Sequence, residues 1–290
     1  MLHRFSRRPK ASRRPRIEVD LENAVVYAVG DIHGAYEELV SLEGKIAIDA
    51  ASFQGPKLLI LLGDFVDRGP DSARVIAHLL RPPPPGFQRI CLAGNHELCM
   101  SDYLDGIVPL EQWLALGGIE TLYSYGLDPV HLARLYSSRG EIDDYIRNSI
   151  PLPHRLFLQG LPTMAYSERV VFVHAGIRPE IPLDEQDDTD LTTIRSDFLD
   201  NAAKLDRLVV HGHTRSIRPS AEGRRFGIDT GAFETGRLTH CGSRIGRGGC
   251  SLRDRCVTRG LRLPLVDIVT RIFRQELFGT AERAVSGQGV

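Results

Sequence analysis

Six clusters of polar residues carry side-chain types that bind divalent metal ions. Carboxylate oxygen, imidazole nitrogen and amide oxygen together suit ions of intermediate hardness such as Mn²⁺, Fe²⁺ or Zn²⁺. Cysteine accompanies only one of the clusters, which argues against a thiolate site. The residue types therefore predict a metal site with oxygen and nitrogen ligands. The members of the clusters with such donors are Asp31, His33, Asp64, Asp67, Asn95, His96, Glu97, His174, His211, His213 and Asp229.

A donor set of this kind favours hydrolysis assisted by two metal ions. Two divalent ions about 3.5–4 Å apart can bridge one hydroxide, lower its pKa and hold a phosphoryl oxygen during in-line attack. Glycines flank each cluster, and they let the backbone turn sharply and approach a substrate closely. We therefore expect a hydrolase that acts on a phosphoryl group.

Each cluster directly follows a short apolar run. The runs cover residues 24–29, 58–62, 90–93, 170–173, 208–210 and 226–228. Continuous β-rich runs of this length are typical of strands buried on both faces. Open α/β sheets place their active sites at the carboxyl ends of the strands. The pattern thus predicts an α/β fold that brings the clusters together at one rim.

Each cluster also has a purely structural interpretation when it is taken alone. The Gly30–Gly34 segment is then an ordinary strand-to-loop turn whose Asp31 caps the following helix. Asn95 is then a helix start, and His211 and His213 mark a strand end. Their joint occurrence, each after an apolar run, favours the metal site.

The order of the motifs GDIHG, GDFVDRG, GNHE, HAG and GHT resembles the calcineurin-like metallophosphoesterases, and within them the phosphoprotein phosphatase family. Several stretches between these motifs, including Trp113 with residues 117–126, are similar to the bacterial branch of that family. The match spans Tyr27 to Thr239. The resemblance implies two mixed β-sheets packed as a sandwich and flanked by helices, with the site at the strand ends.

The resemblance also implies which residues bind the two metal ions. His213 is preferred over His211 because the family ligand directly follows the glycine, here Gly212. Many metallophosphoesterases have a further histidine where this chain has Arg215, which agrees with the phosphoprotein phosphatase branch. The implied ligands are Asp31 and His33 for the first ion, Asp64 as the bridge, and Asn95, His174 and His213 for the second.

Proton donation to the leaving group has its own candidates. A leaving alkoxide needs a proton, and a histidine beside the metals, oriented by a carboxylate, is the expected device. His96 resembles the general acid of the family, and Asp67 resembles the carboxylate that orients it. Arg68 resembles a phosphate clamp, because a guanidinium can bind two phosphoryl oxygens at once. Taken alone, Asp67 and Arg68 would be interpreted as a turn residue and a surface ion pair.

A second clamp arginine is expected at Arg195. Its segment, residues 190–199, resembles a family stretch, but Thr192 and Thr193 stand where apolar and aromatic residues are usual. Arg178 and Arg215 are the alternatives for this role.

Composition is that of one large α/β enzyme domain. The chain has 290 residues, 42% hydrophobic residues and a formal net charge of −1, so nothing in its balance demands a nucleic-acid partner. No apolar stretch approaches the roughly 20 residues of a spanning helix, and no signal-peptide core follows the basic start. Five cysteines, an odd number, favour reduced thiols. We therefore expect a cytoplasmic protein with no membrane partner.

The domain organisation follows from shifts in composition. Residues 1–20 form a basic arm that is expected to be disordered, with a transit peptide or a nucleic-acid-binding arm as alternatives. Residues 21–239 form the catalytic domain, with a helical insertion at about 101–153 that is placed to select substrates. Residues 240–290 are rich in Arg, Gly and Cys and lose the strand pattern, with one short helix possible at 266–277. A shifted reading frame and a lineage-specific extension both account for this tail, and a chain ending at Thr239 is expected to keep its site.

The predicted function is a metal-dependent phosphomonoesterase. Its expected cofactors are two divalent ions, Mn²⁺ first and Fe or Zn as alternatives. Its expected substrates are phosphoserine, phosphothreonine or phosphotyrosine in proteins or peptides. The alternative is a hydrolase of dinucleoside polyphosphates such as diadenosine tetraphosphate, which shares the metal motifs, but Asp67 and Glu97 favour the protein phosphatase. A silent binding module is a third hypothesis, and the complete set of ligand positions argues against it.

Overall fold

The six apolar runs all form β-strands, as predicted. A computed structural model of the chain describes residues 13–246, 249–251, 257–258 and 261–262, with side chains up to Ser243. The described strands are β1 (Arg16–Glu18), β2 (Val25–Val29), β3 (Lys57–Leu61), β4 (Phe87–Cys91), β5 (Met164–Tyr166), β6 (Val170–Val173), β7 (Leu208–His211), β8 (Ser220–Glu222), β9 (Arg225–Gly227), β10 (His240–Gly246), β11 (Gly249–Ser251), β12 (Val257–Thr258) and β13 (Leu261–Arg262).

Helices connect most of these strands. The described α-helices are α1 (Tyr36–Asp49), α2 (Ser72–Leu79), α3 (Asn95–Leu104), α4 (Leu110–Leu114), α5 (Gly118–Ser124), α6 (Pro129–Leu135), α7 (Arg139–Ser149), α8 (Leu152–Gly160), α9 (Asp188–Thr193), α10 (Ser196–Leu199) and α11 (Ala232–Thr235), with one 3₁₀ turn at Ala202–Lys204. The segment predicted as a helical insertion thus contains the end of α3, all of α4 to α7 and the start of α8. No helix in the described part of the chain is both long and apolar enough for a bilayer crossing.

Eleven of the thirteen described strands form two mixed sheets, and β12 and β13 pair with each other separately. The first has the order β1-β5-β6-β7-β9-β8, and the second has the order β11-β10-β2-β3-β4. Strands β2, β3 and β4 are parallel to one another, as are β6, β7 and β9, whereas β10 runs antiparallel to β2. The predicted fold class, α/β with two mixed sheets, is therefore confirmed.

Alternation along β2 shows how the sheets pack. Val26 and Ala28 lie in a core shared with Phe172 and Val210 of the other sheet. Their neighbours along the strand, Val25, Tyr27 and Val29, lie in a second core with helices α1 to α5. Both faces of the strand are buried, which is why its sequence is a continuous apolar run. The sandwich brings the carboxyl ends of strands from both sheets to a common rim.

Two predictions about the chain termini need correction. Arg16–Glu18 form β1, which pairs with β5, so the disordered arm predicted for residues 1–20 is wrong at this segment. Arg14 is also fixed there, because its guanidinium donates to the Leu158 carbonyl at 2.8 Å. The predicted loss of strand structure after Thr239 is wrong for β10, which pairs with β2 over five residues. Residues 1–12 and the helix predicted at 266–277 lie outside the described residues.

Strand β10 makes the stability of the chain depend on residues beyond Thr239. A chain ending at Thr239 is expected to unfold at a lower temperature than one ending at Ser251, because it leaves one edge of β2 unpaired and uncovers Tyr27, which contacts the buried His240 ring. Each kcal/mol lost lowers the melting temperature of a domain of this size by about 2–4 °C. Thermal unfolding of both chains measures the effect. Equal melting temperatures would show that β10 does not stabilise the sheet.

Candidate metal centre

Asp64 lies at the centre of a buried group of imidazole rings. Its Oδ2 atom is 3.4 Å from His33 Nε2, 3.3 Å from His174 Nε2 and 3.8 Å from His96 Nε2. All four side chains are at most 2% exposed. These residues lie within a few positions after the ends of β2, β3, β4 and β6, with His96 in the first turn of α3, so the rim of both sheets supplies the group.

The remaining predicted ligands adjoin the same group. His174 Nε2 is 3.2 Å from Asn95 Oδ1 and 3.2 Å from His213 Nδ1. The backbone N–H of His213 donates to the two carboxylate oxygens of Asp31 at 3.1 and 3.2 Å. Four of the six residues predicted as ligands, His33, Asp64, His174 and His213, thus have converging donor atoms. Asn95 adjoins them through His174, and Asp31 adjoins them through the backbone of His213.

Hydrogen bonds fix which nitrogen of each ring can bind a cation. His33 Nδ1 donates to the Val66 carbonyl at 2.8 Å, and His174 Nδ1 donates to the Leu62 carbonyl at 3.0 Å. A carbonyl only accepts, so Nδ1 carries hydrogen and Nε2, which points towards Asp64, is the nitrogen available to a metal. Burial also lowers the pKa of His33 to about 4, which keeps its ring neutral.

The donor atoms fit divalent cations. Two sets of three residues each have their ligand atoms within 4.8 Å of one another, and Asp64 belongs to both sets. The first set is His33, Asp64 and His96, and the second is Asp64, His174 and His213. Burial raises the pKa of Asp31 well above its usual range, and the negative charge of nearby Asp229 adds to this. A buried cluster of carboxylates is stabilised by positive charge, and carboxylate with imidazole is the donor set of Mn²⁺, Fe²⁺ and Zn²⁺ sites.

Two glycines leave room for the ligand carboxylates. A Cβ atom on Gly94 would lie 2.1 Å from Asp64 Oδ1, and one on Gly212 would lie 2.1 Å from Asp31 Oδ1. Any larger residue would displace these ligands. The glycines of the GNHE and GHT motifs thus serve close packing around the donors.

Backbone conformation at the site is unusual. Non-glycine residues rarely adopt positive φ, and bulky ones do so with strain. The sharp turns that these conformations produce aim consecutive side chains into the site. The site residues with positive φ are His33 (46°), Asp64 (51°), Asp67 (71°), Arg68 (67°) and His213 (58°).

Glu97 holds the loop that carries Asp64. Its carboxylate accepts from the backbone N–H groups of Asp64, Phe65 and Gly94 at 2.7–2.8 Å and from that of Val66 at 3.2 Å. The side chain is fully buried, and burial together with the charge of Asp64 raises its pKa to about 7. Glu97 was not among the residues predicted for the site. Its position in the GNHE motif was the available signal for this structural role.

His96 and Asp67 form the predicted pair. His96 Nδ1 donates to Asp67 Oδ2 at 2.8 Å, and both side chains are fully buried. Asp67 also accepts from Trp113 Nε1 at 3.0 Å and from Thr121 Oγ1 at 2.7 Å. Burial lowers the pKa of His96, but the charges of Asp64 and Asp67 outweigh this and raise it above its ordinary value.

His96 has one ring nitrogen free. Its Nε2 atom has no hydrogen-bond partner among residues with described side chains, and it faces Asp64. This free nitrogen is itself buried, and it lies next to the donor atoms around Asp64. Trp113 and Thr121, which hold Asp67 in place, were not identified as site residues from the sequence.

The candidate clamp arginines differ in their surroundings. Arg68 is exposed, and its Nη1 atom is 3.1 Å from His33 Nε2. Arg195 is also exposed at the rim. Burial lowers the pKa of His213 to about 3, and the charge of Arg195 is among the further causes. The alternatives are engaged elsewhere, because Arg178 pairs with Asp190 and Asp197, and Arg215 pairs with Glu234.

His211 lies outside the two donor sets found in the described chain. Its ring is buried, and it packs edge-on against Phe198 with ring centroids 5.0 Å apart. This environment fits the structural role that was expected for His211.

Comparison with known proteins gives a consistent result. The calcineurin-like phosphoesterase family model matches residues 24–238. An asymmetrical bis(5'-nucleosyl)-tetraphosphatase, PrpE, of Halalkalibacterium halodurans is 26% identical over 235 residues, covering 73% of this chain and 87% of that protein. A symmetrical bis(5'-nucleosyl)-tetraphosphatase of Aeromonas salmonicida is 30% identical over 152 residues, covering 52% of this chain and 44% of that protein.

The fold has matches among solved structures. A crystal structure described as a candidate diadenosine tetraphosphatase superposes with a TM-score of 0.53 at 22% identity, covering 78% of this chain and 92% of that one. At this identity the similarity shows a shared fold. The chain spans 44% of the length of the Aeromonas protein and 28% of the length of another curated relative. The matched residues 24–238 include both donor sets.

Proposed function

The chain belongs to the calcineurin-like phosphoesterase family, and on that premise we propose that it hydrolyses bis(5'-nucleosyl) tetraphosphates with the help of divalent metal ions. The buried group of donor atoms around Asp64 carries this proposal. Divalent ions held there would supply Lewis-acid chemistry, which activates water and neutralises charge on phosphoryl oxygens. His33, His174 and Asp64 would hold the ions through the atoms that already converge.

The choice of substrate has support from relatives. The PrpE protein, of which this chain covers 87%, is named for cleaving a bis(5'-nucleosyl) tetraphosphate, and so is the shorter match in Aeromonas salmonicida. The sequence pattern had favoured phosphoproteins, so the comparisons support the alternative better than that first prediction. Arg68, exposed beside His33, is suited to bind oxygens of the polyphosphate chain.

A phosphomonoester in a protein is the second candidate substrate. The buried His96–Asp67 pair favours it, because a serine or threonine alkoxide is a poor leaving group that needs a proton. A nucleotide phosphate leaves without such help, so the pair would contribute less to cleavage of a tetraphosphate.

One substrate panel tests both candidates. The full chain, first stripped with a chelator, is expected to be inactive and to recover when Mn²⁺, Mg²⁺ or Zn²⁺ is added. With the best metal, we expect kcat/KM for diadenosine tetraphosphate to exceed that for phosphoserine and phosphothreonine peptides by at least about tenfold. Chromatography of the products separates symmetrical from asymmetrical cleavage. Hydrolysis of the peptides without hydrolysis of the dinucleotide would contradict the proposal and favour the second candidate.

A further inference from the structure

Arg68 has unusual neighbours for an exposed arginine beside a metal site. Among the residues whose side chains are described, it forms no ion pair with a carboxylate. Its Nη1 atom donates to His33 Nε2 at 3.1 Å, a hydrogen bond that a metal ion on this nitrogen would replace, whereas its Cζ atom lies 5.6 Å from the ring centroid of Phe233, a contact that needs no such exchange. This distance is within the range of a cation–π interaction, about 6 Å. The charge of Arg68 is thus free to meet an anion.

The other side of Arg68 is closed by backbone. The N–H of Arg68 donates to the Gly117 carbonyl at 3.0 Å. A Cβ atom on Gly117 would lie 2.9 Å from Arg68 Cγ, and Gly117 has a φ of 107° that favours glycine. The arginine side chain therefore runs through a space that is open only because residue 117 is glycine.

Phe233 and Gly117 come from segments that are far apart in the chain. Phe233 lies in α11, which follows β9 of the six-stranded sheet, and Gly117 directly precedes α5, which packs on the five-stranded sheet. The Phe233 ring also meets the His33 ring edge-on, with centroids 5.3 Å apart. Phe233 thus touches both Arg68 and a candidate metal ligand while remaining half-buried.

We propose that Phe233 and Gly117 form a slot that holds the Arg68 guanidinium over the metal site, and that Phe233 is a positioning residue for phosphoryl binding. The inference rests on the role proposed for Arg68. A free arginine side chain samples many rotamers, and ordering it on binding costs about 0.5–1.5 kcal/mol. A slot that fixes the side chain beforehand removes part of this cost, and so it strengthens binding of the phosphoryl group.

Inorganic phosphate is the probe for this slot. Its binding is expected to use the Arg68 guanidinium, and it has no leaving group whose chemistry could affect the result. In the metal-loaded full chain, Phe233→Leu is expected to raise the inhibition constant of phosphate by about 2- to 10-fold, which corresponds to the ordering cost that the slot removes. Phe233→Tyr keeps the aromatic ring and should have the wild-type inhibition constant for phosphate. Phe157→Leu is the matched control, because Phe157 is also half-buried but lies in α8, packed against Phe65. Metal content and melting temperature should not change in Phe233→Leu.

A double-variant cycle separates positioning from general packing. In an Arg68→Ala background, Phe233→Leu is expected to have no further effect on phosphate binding, which thermal shift also reports. An equal effect in both backgrounds, or none in the wild type, would overturn the inference. Lack of phosphate binding by the metal-loaded wild type would overturn it as well. A failure of the proposed substrate can be told apart from a failure of this inference. Inhibition by phosphate can be followed with p-nitrophenyl phosphate as the substrate even if diadenosine tetraphosphate is not cleaved.

Discussion

Replacing Asp64 with asparagine is expected to lower kcat/KM by at least about 10³-fold and to release bound metal at the same time. Asp64 is the residue common to both donor sets, with its Oδ2 atom 3.4 Å from His33 Nε2 and 3.3 Å from His174 Nε2. Asparagine keeps the size of the side chain but removes its charge. Two dications that lose a shared anion repel each other. Metal analysis and steady-state kinetics of the purified variant measure the two losses.

Asp71→Asn is a matched control for this variant. Asp71 lies in the same connection between β3 and α2, but it forms a surface ion pair with Arg74. Its replacement removes the same charge, and it should leave both metal content and activity unchanged. Two tightly held ions per chain in purified Asp64→Asn would refute the role of Asp64 as the bridging ligand.

Replacing His96 with asparagine is expected to lower kcat for a phosphoserine peptide by about 10²–10⁴-fold while metal content is retained. The reason is the position of its ring, which Asp67 fixes through Nδ1 at 2.8 Å and which presents a free Nε2 atom beside Asp64. The asparagine amide does not titrate near neutral pH, so it cannot donate a proton to the leaving group as an imidazolium can. The loss should be much smaller for p-nitrophenyl phosphate and for diadenosine tetraphosphate, whose leaving groups need less protonation.

The comparison between substrates is the decisive part of that experiment. Equal losses of kcat on good and poor leaving groups would contradict a general-acid role. His131→Asn, at an exposed position in α6, controls for the substitution itself. Loss of metal from His96→Asn would instead place this residue among the ligands, as its membership of one donor set allows.

The sequence was a good guide to those strands that are buried on both faces. Strands β2, β3 and β6 are continuous apolar runs, because each residue faces one core or the other. Strands β1 and β10 carry no such pattern. The Nη atoms of Arg14 and Arg16, near and in β1, donate to backbone carbonyls of α8 and the 183–186 loop, and β10 is held by its ladder with β2. Tertiary pairing overrode local sequence preference in both cases.

The residues of the candidate site also fall into two groups, those that the sequence predicted and those that it did not. Its donor residues stand in short motifs at strand ends, so their types and order could be read directly. The supporting residues could not, because their roles depend on contacts between distant segments. Glu97 bonds to amides that lie 31 to 33 residues away along the chain, and Phe233 lies 165 positions after Arg68. Sequence spacing holds no information about such distances until the sheets are assembled.

The left-handed backbone of the site has a consequence for evolution of the protein. A non-glycine residue at positive φ costs about 1 kcal/mol or more, against a total stability of about 5–15 kcal/mol for a typical domain. His33, Asp64, Asp67, Arg68 and His213 all carry this cost. Glycine would relieve the backbone strain at each position but would remove the side chain that does the chemistry. At Asp67 it would also leave the buried donors of His96, Trp113 and Thr121 without an acceptor. The strain of these turns is therefore tied to the function of the same five residues, and natural variants should gain stability elsewhere in the chain.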